Sequence, residues 1–240
     1  MKKVSLLLSV LFVLFFASCK ETTEELQTDE ISDYAPLVVG KYITYQLDSL
    51  VFINFNSVSA TRSYQVKYEV DAQITDNLNR PAFRIVRYIR KTAANTFVPD
   101  ATFMATNTGP SLEFVENNQR FIKLRIPIRD DYSWKGNAFI DTYSLNSEFR
   151  YLNGWDYTYA NVGVAENGLE TITINQQDEV IGNPSDLNNY SEVNKGIEKY
   201  AKGIGLVYRL FLHTEYQPPI PGRNGFYQGY GITLNMIDHN

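Results

Sequence analysis

From Tyr64 to Ile74, "YQVKYEVDAQI", apolar and polar residues alternate one by one. Tyr64, Val66, Tyr68, Val70, Ala72 and Ile74 share one face; Gln65, Lys67, Glu69, Asp71 and Gln73 share the other. Successive side chains of a strand point to opposite sides, so this period of two predicts a strand with one buried face and one wet face. "DNLNRP" then turns the chain, and "AFRIVRYIRK" predicts the antiparallel partner. Its Arg84, Arg87 and Arg90 can meet acids such as Glu69 or Asp71, each pair contributing well under about 1 kcal/mol if exposed. Upstream, Tyr42 to Phe52 is rich in aromatic and β-branched residues and predicts another strand.

Turn chemistry divides the rest into similar pieces. Asn117-Asn118 lies between "SLEFV" and "RFIKLRIPI", and Asn tolerates the positive φ of a tight hairpin. Asn153-Gly154 and Asn167-Gly168 each separate two β-prone runs, the strongest short hairpin signal. "GLVYRLFLHTEY" and "YQGYGITLNMI" predict two closing strands. Between them "QPPIPGRNG" is a loop, since Pro218, Pro219 and Pro221 cannot donate to a ladder. The best helical candidate, Asp186 to Lys202, with Leu187, Tyr190, Val193 and Ile197, has weak spacing and an internal Gly196, so a helix is not expected there. The expectation is one all-β antiparallel domain over residues 35–240 with about ten strands: a curved sheet, half-barrel or barrel, with a β-sandwich as the alternative and little helix.

A different pattern opens the chain. "MKKVSLLLSVLFVLFFAS" begins with Lys2 and Lys3, continues through a short apolar run and ends in small residues, the pattern of a secretory signal over residues 1–18. The only cysteine, Cys19, follows directly. Phe16-Ala17-Ser18-Cys19 resembles the lipobox of bacterial lipoproteins, with Phe16 where Leu is usual. The resemblance implies cleavage before Cys19, acylation of its thiol, and a membrane partner reached through that lipid. Acylation also accounts for an odd cysteine in an oxidising compartment, where a free exposed thiol is a liability. The mature fold then has no disulfide and stands on its apolar core.

Charge sharpens this division. Without residues 1–18 the chain holds 20 basic and 27 acidic side chains, a net −7. Residues 20–34, "KETTEELQTDEISDY", carry one lysine and six acids, so −5 of that charge lies in a polar tether predicted to extend from Cys19 to Tyr34. Residues 35–240 are nearly neutral, which argues against nucleic acid as a partner. Lys20-Glu21 with Glu24-Glu25 resembles the export signal of Bacteroidota surface lipoproteins, implying an outer-membrane location at the cell surface or the periplasmic face. "APLVVGKYITYQLDS", "WKGN" at Trp134 to Asn137 and "YAKGIGLVYRLF" resemble stretches of uncharacterised Bacteroidota lipoproteins. The "GIGLV" turn and strand is similar to one in lipoprotein-carrier-like half-barrels. "DSL" at Asp48 to Leu50 resembles a short Bacteroidota O-glycosylation motif.

Candidate chemistry is sparse. His213 lies in an apolar strand and His239 is next to last; neither joins a Cys or His cluster with metal-ligand spacing, so no metal is expected. Asp130-Asp131 reads as a solvated turn, because glycosidase carboxylates stand about 5–10 Å apart across a sugar. The glycines of "KGIG" and "QGYG" do not open a helix, so neither a phosphate loop nor a nucleotide cofactor is expected. The surplus is aromatic: 17 Tyr, 14 Phe and 2 Trp. Tyr suits half-wet sites, having an apolar ring and a polar tip. "GWDYTYA" and "NGFYQGYG" therefore nominate Trp155, Tyr157, Tyr159, Tyr227 and Tyr230 as ligand-contact aromatics. The expected function is non-enzymatic: a binding or assembly module for a glycan or envelope protein. A lipid or lipoprotein carrier is the alternative, and a hydrolase ranks last.

Overall fold

A computed structural model describes residues 29–240. The signal segment, Cys19 and the tether up to residue 28 lie outside the described residues. A four-residue helix α1 (Ile31–Tyr34) precedes twelve strands: β1 (Tyr42–Ile53), β2 (Val58–Thr75), β3 (Pro81–Arg90), β4 (Val98–Asn107), β5 (Ser111–Glu116), β6 (Gln119–Arg125), β7 (Ser133–Trp134), β8 (Tyr157–Glu166), β9 (Leu169–Ile181), β10 (Ser191–Ala201), β11 (Gly205–Gln217) and β12 (Phe226–His239). All twelve belong to one antiparallel sheet, ordered β6-β5-β4-β3-β2-β1-β12-β11-β10-β9-β8-β7. Consecutive strands pair with each other from β1 to β6 and from β7 to β12, the arrangement that short connections favour. The junction of β1 with β12, in register from Ile43 opposite His239 to Leu50 opposite Gly231, joins the two halves.

The sheet curls until its edges, β6 and β7, nearly meet. Ile122 N–H donates to Gly136 O (2.7 Å), and the Trp134 indole donates to Ile122 O (2.8 Å). The Tyr159 hydroxyl accepts from Arg125 N–H and donates to Arg125 O, both at 2.9 Å. Side chains and loop backbone thus satisfy groups that an open sheet would leave unpaired. In the main core Phe103, Leu124, Trp134, Trp155, Tyr159, Ile172 and Ile174 from both halves pack together, and a smaller cluster gathers Tyr45, Val66 and Leu234.

The barrel-like expectation holds, with twelve strands rather than about ten. Asn117 and Asn118 both take positive φ (50° and 60°), and so do Asn167 and Gly168 (52° and 81°), each pair joining the strands expected. Asp186 to Lys202 contributes strand β10, not helix. Outward faces carry ion pairs such as Lys67–Glu69, Arg84–Asp71 and Lys199–Glu166. A lipid-facing barrel wall would be an apolar band there.

Two expectations change. Asn153-Gly154 makes a turn but no hairpin: Arg150–Leu152 winds into a 3₁₀ turn on one side, and β8 starts only at Tyr157. The last six residues of the predicted tether, 29–34, are not free: Ile31 and Tyr34 are fully buried. Gly203 N–H donates to Asp33 O (2.6 Å), Lys202 pairs with Asp29 (2.7 Å) and Glu170 (3.0 Å), and the Tyr34 hydroxyl bonds Asp29 (3.0 Å). Residues 29–34 are therefore attached to the barrel and lie across one of its ends.

Candidate functional site

Strand alternation sends Gly196, Glu198 and Tyr200 of β10, Arg209 and Phe211 of β11, Glu116 of β5 and Lys123 of β6 toward the barrel interior. Four of these form an ion cluster across it. Glu116 accepts two hydrogen bonds from the two terminal nitrogens of Arg209, both at 2.9 Å. Glu198, fully buried, accepts from Lys123 Nζ (2.8 Å) and from the Tyr200 hydroxyl (3.0 Å). Lys123 also lies 3.6 Å from Glu116. Arg209 Nε lies 3.5 Å from Glu198, within ion-pair range but without hydrogen-bond alignment. The two acids and two bases sum to zero charge, which is how ionised groups persist in an interior.

Burial alone would push both carboxyls up. Arg209 and Lys123 together outweigh it and hold Glu116 at about 2, with Glu198 lowered by the same two cations. Burial also drives the Tyr45, Tyr157 and Tyr200 hydroxyls well above their ordinary range, with Glu198 adding to the effect, so they remain neutral donors.

The cluster divides the interior into two chambers that share Tyr68, Glu116, Lys123 and Arg209 as walls. The chamber on the α1 side has a volume of about 130 Å³ and is mostly apolar, lined by Leu37, Tyr45, Val70, Ile85 and Leu112 among others. The second is about 240 Å³ and is walled by Phe103, Phe121, Tyr151, Trp155, Gln176 and Phe211 among others. It reaches the surface where Asn117 is exposed and Tyr230 half-exposed.

Three residues of this wall each hold a buried donor that has no hydrogen-bond partner among the described residues and no surface open to the chamber: Trp155 Nε1, Gln176 Nε2 and Arg209 Nε. Trp155 is 1% exposed and Gln176 4%. Buried donors are normally paired, so each such group needs an explanation. Gly196 makes their placement possible: a Cβ there would stand 2.6 Å from the Trp155 ring and 2.8 Å from Gln176 Oε1. At the far end of β11, His213 stacks on Tyr151 (4.1 Å, 11°) and bonds Asn194 Oδ1 (2.8 Å). Burial pushes its imidazole below the ordinary range, against the opposing pull of Glu215 and Glu192.

Of the five aromatics nominated from sequence, Trp155, Tyr157 and Tyr230 line the second chamber. Tyr159 closes the seam instead, and Tyr227 stacks on Phe52 (5.1 Å) and packs against Tyr216 (4.8 Å) outside it. Sequence reasoning missed Gln176, Arg209, Glu116, Lys123 and Glu198. The signal available was a run of polar residues at inward positions, Gly196-x-Glu198-x-Tyr200, with Arg209 two residues before Phe211. Asp130 accepts from Val162 N–H (3.0 Å) and Asp131 takes positive φ (62°), so the acidic pair forms a turn. His239 ends β12 and is exposed. Among the described residues no group of three or more His, Cys, Asp or Glu is placed to hold a metal ion.

A general acid needs a carboxyl raised toward neutrality, whereas Glu116 and Glu198 are held ionised by their cations. No protein-family model, no curated protein and no solved structure matches this chain.

Proposed function

We propose that this chain is a lipid-anchored, non-enzymatic binding protein whose site is the larger interior chamber, with Cys19 as the anchor point. The observation that carries the reading is the chamber of about 240 Å³ itself, whose wall sets the rings of Trp155, Tyr157 and Phe211 beside the polar side chains of Gln176 and Arg209. Convergent polar groups in an otherwise aromatic cavity are what a small-molecule site requires. A glycan or other polar ligand fits this better than a lipid. A long acyl chain would have to pass the ion cluster, and chambers of about 130 and 240 Å³ fall below the roughly 300–1,000 Å³ typical of sites for larger ligands. An envelope protein would have to insert a narrow element to reach the same wall.

The test uses the two tryptophans. Trp134 already donates to Ile122 O, whereas Trp155 has a free N–H, so the two indole ¹⁵N–H resonances report different things. The small-molecule fraction of a cell-envelope extract, added to the ¹⁵N-labelled full chain in detergent, should move the Trp155 resonance and leave Trp134 in place. Assignment comes from Trp155→Phe. A Trp155 resonance that no fraction moves overturns the interior-site reading.

A further inference from the structure

We infer that the smaller chamber is a second binding site, which takes one medium-length aliphatic carboxylate with its tail inward and its carboxylate at the mouth beside Lys41. This site lies across the ion cluster from the larger chamber and stands apart from the reading proposed for that chamber. Three observations carry it.

The first is open apolar surface. Leu37, Ile43, Tyr68, Phe114 and Leu206 line the chamber and are only partly buried, unlike Leu124 or Ile174 in the closed core. The polar groups of the wall are already bonded within the protein. The Tyr45 hydroxyl donates to Leu206 O (2.7 Å), the Tyr200 hydroxyl donates to Glu198 (3.0 Å), and the four charged residues of the cluster hold one another. An ordered water needs about two to four polar partners, so this wall favours an apolar occupant over water.

The second is depth. Gly205 at the mouth and Arg209 in the floor line the same chamber and stand four residues apart on β11. At about 3.3 Å per residue, the chamber is at most about 13 Å deep. One leaflet of a bilayer is about 15 Å of hydrocarbon. A chain that fills a leaflet is therefore stopped by the ion cluster, whereas a medium-length tail is covered completely.

The third is the mouth. Residues 36, 37 and 41–43 line it on one side, and Ile204 and Gly205 of the β10–β11 turn line it on the other. A Cβ on Gly205 would stand 3.2 Å from Ile43 Cδ1, so the missing side chain keeps this entrance wide. Of the two lysines at this end, Lys202 takes Asp29 and Glu170. Lys41 has only the Gly203 carbonyl (2.8 Å) among the described residues. Asp33 and Asp238, at the same end, accept from Glu30 N–H and from the Tyr42 hydroxyl. An ammonium carries three donors, so Lys41 keeps donors for a ligand. A cation without a counter-charge at the entrance of an apolar chamber selects an acid with an apolar tail.

The test uses the mature chain, residues 19–240, with Cys19→Ala so that no detergent competes for the chamber. Unbranched carboxylates from butanoate to dodecanoate are the probes, kept below micelle-forming concentrations, with octanol and octylamine as the neutral and cationic counterparts of octanoate. The readout is the Cδ1 methyl resonances of the isoleucines. Ile43, Ile85 and Ile204 line the chamber and should shift saturably, while Ile172 and Ile174 in the main core stay in place. Affinity should rise about fourfold per added methylene up to octanoate and level off by dodecanoate. Octanoate should bind at least threefold tighter than octanol and octylamine, the range of a half-exposed ion pair. Lys41→Gln should remove that preference and leave octanol binding unchanged, with unmoved Ile172 and Ile174 resonances as the check on its fold. Unmoved Ile43, Ile85 and Ile204 methyls overturn the site, and so does a probe that shifts Trp155 instead, since the tail would then lie in the larger chamber. Equal binding of octanol, or a preference that survives Lys41→Gln, overturns the carboxylate. Affinity still rising at dodecanoate overturns the floor.

Discussion

Replacing Arg209 by Met tests whether the barrel interior is held by charge. Arg209 gives Glu116 a two-point bond at 2.9 Å and stands 3.5 Å from Glu198. At about 4 Å between charge centres and an effective dielectric of about 20, each such attraction is worth about 4 kcal/mol before desolvation is subtracted. The whole cluster can still contribute little net stability, because burying four charges offsets most of that gain. Removing one member is different: methionine fills the volume but leaves two buried carboxylates with one lysine. The expected loss is about 3–5 kcal/mol at pH 7, seen in urea denaturation as a lower midpoint with an unchanged slope.

The pH dependence carries the sharper information. In the wild type, Glu116 is held at about 2 against an ordinary value of 4.5, so its contribution is fully present above about pH 4.5 and is lost as pH falls toward 2. Without Arg209, burial prevails and the carboxyls titrate higher. The variant should then gain stability on acidification through that raised value, where the Glu116 contribution of the wild type is still unchanged. The difference between the two proteins should shrink between pH 7 and pH 5. Replacing all four residues by apolar ones of similar volume should be less harmful than Arg209→Met alone. A loss below about 1 kcal/mol, or one independent of pH, would show that the cluster is solvated and that the division into two chambers is not electrostatic.

Three other outcomes follow from the same structure. Tyr159→Phe removes the hydroxyl that both accepts from and donates to Arg125 at the seam; with Tyr159 fully buried, stability should fall by about 1–3 kcal/mol in chemical denaturation, and an unchanged midpoint would mean that the seam is held elsewhere. Cys19→Ala should move the protein from the membrane pellet to the soluble fraction on cell fractionation, whereas continued membrane association would refute lipid anchoring at that residue. His213 is held below its ordinary value of 6.5, so the folded state disfavours its protonation: stability should be full above about pH 6.5 and decline as pH falls through the lowered folded value, a slope that His213→Gln removes. Glu192 and Glu215, the charges facing His213, remain in that variant as internal controls.

What the sequence disclosed was local. The alternation of Tyr64 to Ile74 and the Asn117-Asn118 and Asn167-Gly168 turns depend on neighbouring residues and on φ, and each forms where expected. Asn153-Gly154 carries the same turn signal, but a hairpin needs strands on both sides, and Arg150–Leu152 folds into a 3₁₀ turn whose Tyr151 stacks on His213 sixty-two residues away. The interior cluster was illegible for a related reason. Glu198 meets Lys123 across 75 residues and Arg209 meets Glu116 across 93. A charged residue in an alternating strand reads as a wet-face residue until the sheet curls and brings its counter-charge opposite. Trp155 and Gln176 likewise became a pair of donors only through Gly196, whose missing side chain leaves them space.

The docking of α1 has a mechanical consequence. Helix α1 covers the end of the barrel beside the smaller chamber, and the rim of the larger chamber lies beyond the ion cluster, further along β11. If Cys19 is the anchor, only nine residues lie between it and Asp29, a chain length of at most about 35 Å. The membrane would thus be tied to the covered end, with the open rim pointing away from it. A pull between bilayer and barrel would load the Asp33–Gly203 hydrogen bond and the Lys202 ion pairs first. Ile31 and Tyr34 would peel from the barrel end before any strand ladder was strained, so this short helix is the mechanical fuse between the anchor and the twelve-stranded body.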